Sequence, residues 1–289
     1  MKLRAIALAL LLGWVTFPAC GKLNFDPQNT GPGEFSPKSL SGLQLWLRAD
    51  QGVTTSGVNV QSWSEVVAQT NFTPATAGWF PSFQAQNPNL NNQPSIDFTF
   101  QSFNRYLQAL SVPAGYLCGG QYTTVLIGRP NFSVKAGQTI EIFNWLSAGV
   151  PYFKDKLTYS ATNPVGHGRS IQSTWAGGLI TYGHVSATVR IPATASIWGF
   201  KLSQTADRTF DNGVLGNTVV STVTYGGACD PLDVQVGLGM TNTPGTGTAS
   251  LELAEVIVYG RDLSAEELGQ LGCYARTRYA IPNYSGTCN

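Results

Sequence analysis

Charge is scarce in this chain of 289 residues: Lys and Arg number 17, Asp and Glu 16, together 11% of the sequence. A formal charge of +1 leaves no basic face for nucleic acid or an anionic lipid surface. Histidine is scarcer still, with only His167 and His184, and no G-x-S-x-G occurs, so nucleophilic catalysis has few parts to draw on. The absence of C-x-x-C, with both histidines far from every cysteine in sequence, argues against a zinc site. After the first fifteen residues no apolar run is long enough to span a bilayer. What the chain does have is turn chemistry and flat rings: 32 Gly, 16 Pro and 11% aromatics. Short β-branched and aromatic runs divided by turn residues predict strands and loops, with helix a minority and no internal repeat.

The chain divides at its N-terminus. Lys2 and Arg4 precede an apolar run over 5–15, the pattern of a signal peptide over 1–19. Phe17-Pro18-Ala19-Cys20 resembles a bacterial lipobox, which would make Cys20 a lipidation site; ordinary cleavage after Gly21 is the alternative. Residues 20–39 hold Pro27, Gly31, Pro32, Gly33 and Pro37 and read as an extended tether. The expected domain is 40–289, on a lipid-anchored surface of the cell envelope; a secreted or periplasmic location follows if Cys20 is not acylated.

The stretch 251–279 is the most legible. By the period of two, Ala254, Val256 and Val258 fall on one face of a strand and Leu251, Leu253, Ile257 and Tyr259 on the other, so both faces are expected to be covered. Ser264 and Glu267 have the spacing of a capping box, and Leu263 with Leu268 that of a hydrophobic staple. The helix that follows presents Leu268, Leu271 and Ala275 on one stripe, to be laid over an end or outer face of a sheet. Further strands are predicted over 122–127, 140–146, 185–191 and 234–239, with a tight turn at Asp211-Asn212-Gly213.

The run AEVIVYGRDLSAEELGQLGCYARTRYAI is similar to the C-terminal signature of bacterial concanavalin A-like, laminin G-like jelly-roll domains. LQLWLRAD over 43–50 resembles their opening strand, with Val60-Gln61-Ser62-Trp63 as the next. QPSIDFTFQSFNRYLQ over 93–108 resembles a strand of the family with a later Tyr-Leu, and 196–218, with Trp198-Gly199-Phe200, its Asn-Gly hairpin. The resemblance implies an all-β, two-sheet antiparallel jelly-roll sandwich with a short C-terminal helix. It implies no single activity, because this architecture carries lectins, hydrolases and adhesion modules.

Four cysteines remain after Cys20: Cys118, Cys229, Cys273 and Cys288, an even set suited to an oxidising compartment. Three pairings are possible. Cys273 with Cys288 is favoured because the bend Pro282-Asn283-Tyr284-Ser285-Gly286 can return the tail to the helix, and Cys118 with Cys229 then follows by elimination.

Glu252 and Glu255 do not match a retaining glycosidase, whose carboxylates alternate on one strand face, since an odd spacing sends the two to opposite faces. Glu255 reads as structural, Asp50 and Asp97 as turn and edge residues, and no catalytic residue is assigned. For binding, His167, Trp175, Tyr182 and His184 lie among Gly, Ser and Thr, a mixture of flat rings and hydrogen-bonding groups that suits a pyranose. No cofactor is expected; Ca²⁺ binding is open, without identifiable ligands. The expected function is non-catalytic recognition of a glycan or surface protein, with the membrane reached through the lipid anchor alone. The alternatives are a polysaccharide-degrading hydrolase or lyase, and a structural envelope protein.

Overall fold

A computed structural model describes residues 35–288, except 75, 100–104, 110–111, 113–120, 134–138, 148–152, 164–165, 172–173, 176–193, 203–205, 217–218, 221–233 and 243–247. For 131–175, 202, 206–207, 219–220 and 234–250 it describes the backbone alone. In chain order the strands are β1 (Leu43–Arg48), β2 (Val53–Ser56), β3 (Asn59–Ser64), β4 (Asn71–Pro74), β5 (Ser82–Asn87), β6 (Gln93–Asp97), β7 (Arg105–Ala109), β8 (Tyr122–Ser133) and β9 (Thr139–Ser147). They continue as β10 (Phe153–Asn163), β11 (Gly166–Ile171), β12 (Thr174–Trp175), β13 (Ser196–Leu202), β14 (Ala206–Asp211), β15 (Val214–Leu215), β16 (Val219–Val220), β17 (Val234–Asn242) and β18 (Thr248–Tyr259). One helix, α1 (Ala265–Tyr279), follows.

These strands form a two-sheet antiparallel jelly-roll sandwich with its helix at the C-terminus. In the first sheet β14, β13, β8 and β18 are neighbours, and β1 and β6 lie end to end along the far side of β18. In the second sheet the order is β10, β9, β17, β7, β4, with β11 and β12 both on the free side of β10. Strand β4 also pairs with β3 of the first sheet and so turns the corner between the two. The stretch 93–108 is therefore not one strand: β6 belongs to the first sheet and β7 to the second.

Two apolar layers follow. Between the sheets lie Trp63, Phe72, Leu107, Leu126, Trp198 and Val256 among others, all fully buried. Each such side chain contributes about 1.5–3 kcal/mol relative to exposure. On the outer face of the first sheet a second layer, including Trp46, Ile197, Phe210, Ile257 and Tyr259, is covered by Leu268, Leu271, Ala275 and Tyr279 of α1. The capping box is present, with Glu267 N–H donating to Ser264 Oγ at 3.2 Å and Ser264 N–H to Glu267 Oε2 at 2.9 Å. Leu263 and Leu268 are both buried in this outer layer, as the staple requires.

The simple alternation expected along β18 fails at one residue. Opposite β8, Leu253 pairs with Gly128 and Glu255 with Ile127, leaving Ala254 as the extra residue of a β-bulge. The bulge reverses the phase: Leu251, Leu253, Val256 and Val258 share the inter-sheet core, whereas Ala254, Ile257 and Tyr259 face the helix. Glu252 and Glu255 consequently share the outer face, against the expectation from their spacing.

Packing also begins earlier than 40. A 3-10 turn at Pro37–Ser39 is capped by the Ser36 side chain, Pro37 O accepts from Tyr259 Oη at 2.9 Å, and Phe35 meets the Tyr274 ring edge-on at 6.3 Å between centroids. The end of the expected tether is thus docked on the outer layer.

Candidate functional site

Glu255 organises the packing of α1. Fully buried on β18, its carboxylate accepts from Trp46 Nε1 of β1 at 2.7 Å, from Tyr274 Oη at 2.7 Å and from Tyr279 Oη. Arg278 Nε stands 3.5 Å away, and the same guanidinium bonds Asp50, which Arg48 also holds. Burial, and next the Glu255 charge, push both phenols well above the usual tyrosine range, so each stays protonated and able to donate. Glu252, 7% exposed, is engaged separately by Asn87 Nδ2 at 2.8 Å and Arg129 Nη1 at 3.0 Å. Asp97 accepts from Thr99 N–H at 2.7 Å at the end of β6. Each of these carboxylates is committed to its own local donors.

With Tyr274 Oη turned inward to Glu255, its ring is left as the wall of a cleft of about 670 Å³ on the outer face of the first sheet. The helix with its C-terminal tail, a distant hairpin and Phe35 build it. From α1 come Glu266, Gln270, Tyr274 and Thr277, spaced by three or four residues and therefore on one side of the helix, next to the stripe that Leu268, Leu271 and Ala275 bury. Opposite stand Phe210 and Leu215 of the β14–β15 hairpin, with Ile197 between. The hairpin turns through Asn212 and Gly213, whose φ values of 43° and 88° make the two-residue turn expected there.

The C-terminal tail closes the third side with Tyr284, Thr287 and Cys288. It is held by the Cys273–Cys288 disulfide, by Tyr284 Oη donating to Gly269 O at 3.0 Å, and by Ser285 N–H donating to Asn212 O at 2.8 Å. Gly272 lets the tail lie this close, since a Cβ there would overlap the Tyr284 ring. Phe35 completes the wall beside Tyr274.

The residues expected to bind are placed differently. His167 lies in β11 opposite Ala161, and Trp175 in β12 opposite Phe153. Eight residues of β10 separate those two partners, about 26 Å at the usual strand rise, so the backbone does not bring His167 and Trp175 together. Tyr182, His184, Cys118, Cys229 and Cys20 lie outside the described residues, as does the strand expected over 185–191. Among the described residues no three His, Cys, Asp or Glu side chains converge on a common point, so the Ca²⁺ expectation acquires no ligand set there. No described helix is long and apolar enough to cross a membrane.

No protein-family model and no curated protein matches the chain. Solved structures do. Domain 4 of the extracellular arabinanase AbnA from Geobacillus stearothermophilus, in complex with arabinotriose, aligns at 14% identity and a TM-score of 0.54 over 80% of this chain and 98% of that one. The binding domain of Paraclostridial Mosquitocidal Protein 1 aligns at 10% identity and a TM-score of 0.57 over 83% of this chain and 53% of that one. The binding domain of botulinum neurotoxin DC in complex with SialylT aligns at 9% identity and a TM-score of 0.53, over 81% and 52% respectively. The chain thus spans about half of each toxin domain and nearly all of the arabinanase domain. At these identities the likeness is one of fold: a β-sandwich of the kind found in binding domains.

Proposed function

We propose that this chain is an exported recognition module that binds glycan in the cleft beside α1 and does not transform it. The observation that carries the reading is the composition of the cleft. The part-exposed rings of Phe35 and Tyr274 and the edges of the nearly buried Phe210 and Tyr284 side chains line the cleft together with the polar side chains of Gln270 and Thr277. A pyranose is apolar on its faces and polar at its rim, and about 670 Å³ lies within the range of small-ligand sites. Glycoside hydrolysis by a carboxyl pair needs two acids flanking one bond, whereas Glu266 is the single carboxylate among the described residues lining the cleft. The arabinanase and neurotoxin domains of similar fold were each solved with a ligand named above, which supports the reading by analogy of architecture.

Export and anchoring rest on the leader and on Cys20, and within the proposal the sandwich is a concanavalin A-like domain, as its C-terminal signature implies. The Cys273–Cys288 disulfide is in keeping with an oxidising compartment. Because Phe35 is part of the cleft wall, a lipid on Cys20 would hold the cleft within about 50 Å of the bilayer, the contour limit of the intervening chain.

The test is a glycan array probed with the full-length, disulfide-intact chain, with and without Ca²⁺, followed by titration of each hit. Selective binding that Gln270→Ala weakens about ten-fold, with Tm unchanged because Gln270 is exposed, is the expected result. A folded sample that retains no glycan would contradict the proposal. Loss with Trp175→Ala but not with Gln270→Ala would move the site to the edge of the second sheet.

A further inference from the structure

We infer that the cleft selects glycans that carry a protonated amine over those that carry carboxylates, a refinement that rests on the glycan reading above. Two independent features point the same way. The first is charge: Glu266 is the one charged side chain among the seventeen described residues that line the cleft, and these include no Lys, Arg or His. Every other carboxylate whose side chain the structure describes is already engaged. Asp50 is held by Arg48 and Arg278, Glu267 by Arg261, Asp262 by Lys201 and Glu252 by Arg129. Glu65 accepts from three backbone N–H groups, Glu255 from Trp46 and two tyrosines, and Asp97 from Thr99. Among the described carboxylates Glu266 is the exposed one with no partner, on the first turn of α1 and in the lining of the cleft.

The second feature is the rings. An ammonium group is attracted to the negative face of an aromatic ring, whereas a carboxylate is repelled by it, and Phe35, Tyr274, Phe210 and Tyr284 stand around the same space. A sugar carboxylate entering here would lose water and find no cation among the described lining residues, the exposed Arg276 reaching only the Tyr284 side of the cleft through its charge. A glucosamine-type amine would find a carboxylate and part-exposed aromatic rings in the same lining, while the apolar faces of the same sugar can pack on those rings as any pyranose would. The chemical class is therefore a polymer of amino sugar with free amines, with its N-acetylated counterpart as the neutral reference of equal size.

The experiment is a calorimetric titration of the full-length, disulfide-intact chain with three oligosaccharides of matched length: glucosamine, N-acetylglucosamine and galacturonate oligomers. The expected order is glucosamine tightest by about three- to ten-fold over the N-acetylated chain, the range for one partly exposed charge contact, and galacturonate weakest. Glu266→Gln should bring the first two level, and raising salt should narrow the gap in the parent protein, because exposed charges are screened. If the N-acetylated chain binds as well as the free amine, or Glu266→Gln leaves the preference in place, the selectivity is overturned while glycan binding stands. If no oligosaccharide binds a folded sample, both readings fall. A lysine-containing peptide that binds while the sugars do not would replace the glycan by a protein partner and overturn the inference.

Discussion

Glu255 shows how a single residue can be placed correctly in sequence and understood only in space. The resemblance to jelly-roll domains that carry a Glu before this apolar pair implies a structural role for it, yet its donors come from β1 and from two turns of α1, more than two hundred residues apart in the chain. Removing the carboxylate leaves the Trp46 indole N–H and two phenols without their acceptor, while Arg278 keeps only Asp50 as its carboxylate partner. Glu255→Ala is therefore expected to destabilise the protein by about 3–5 kcal/mol, read from the urea midpoint at constant m-value. A loss near 1 kcal/mol, the ordinary effect of a point change, would show that the network contributes little. The same residue exposes the limit of alternation: counting by twos sends Glu252 and Glu255 to opposite faces, and the bulge at Ala254 returns them to one. A bulge is set by the register of β8 against β18, which no local pattern records.

At the scale of elements, α1 was legible from its first turn because its determinants are local. Ser264, Glu267 and the Leu263–Leu268 staple act over three to five residues, and all are present. What the local reading missed is the second use of Glu267. Arg261 bonds it through both nitrogens, at 2.8 and 2.5 Å, so the cap is tied to the chain entering from β18. That pair, then the backbone N–H of Ser264, lowers the Glu267 carboxyl to about 2. The unfolded carboxylate titrates near 4.3, so the stabilisation is fully present above that value and is lost as pH falls toward about 2. Glu267→Gln should flatten the dependence of Tm on pH across that window; an unchanged slope would show that the ion pair is screened into irrelevance.

At the scale of the molecule the strands, turns and C-terminal helix were legible by period and turn chemistry, whereas the two-sheet sandwich followed from the resemblance to jelly-roll domains. The cleft was not legible. Its walls come from Phe35, from the hairpin over 206–215 and from α1 with its tail, and they meet only because β13 lies beside β8 and β14 beyond β13, while α1 crosses the outer face of the same sheet. Glu266, Gln270, Tyr274 and Thr277 do recur at helical spacing beside the buried stripe. The sheet order sets His167 and Trp175 toward opposite ends of β10.

The most direct test of the central claim is the footprint of a bound oligosaccharide on the amide spectrum of the isotopically labelled chain. Binding in the cleft predicts shifts clustered at Gln270, Tyr274, Thr277 and Gly286, with β9, β10 and β17 silent. Shifts confined to β9, β10 and β17 would place recognition on the second sheet and contradict the assignment of the cleft.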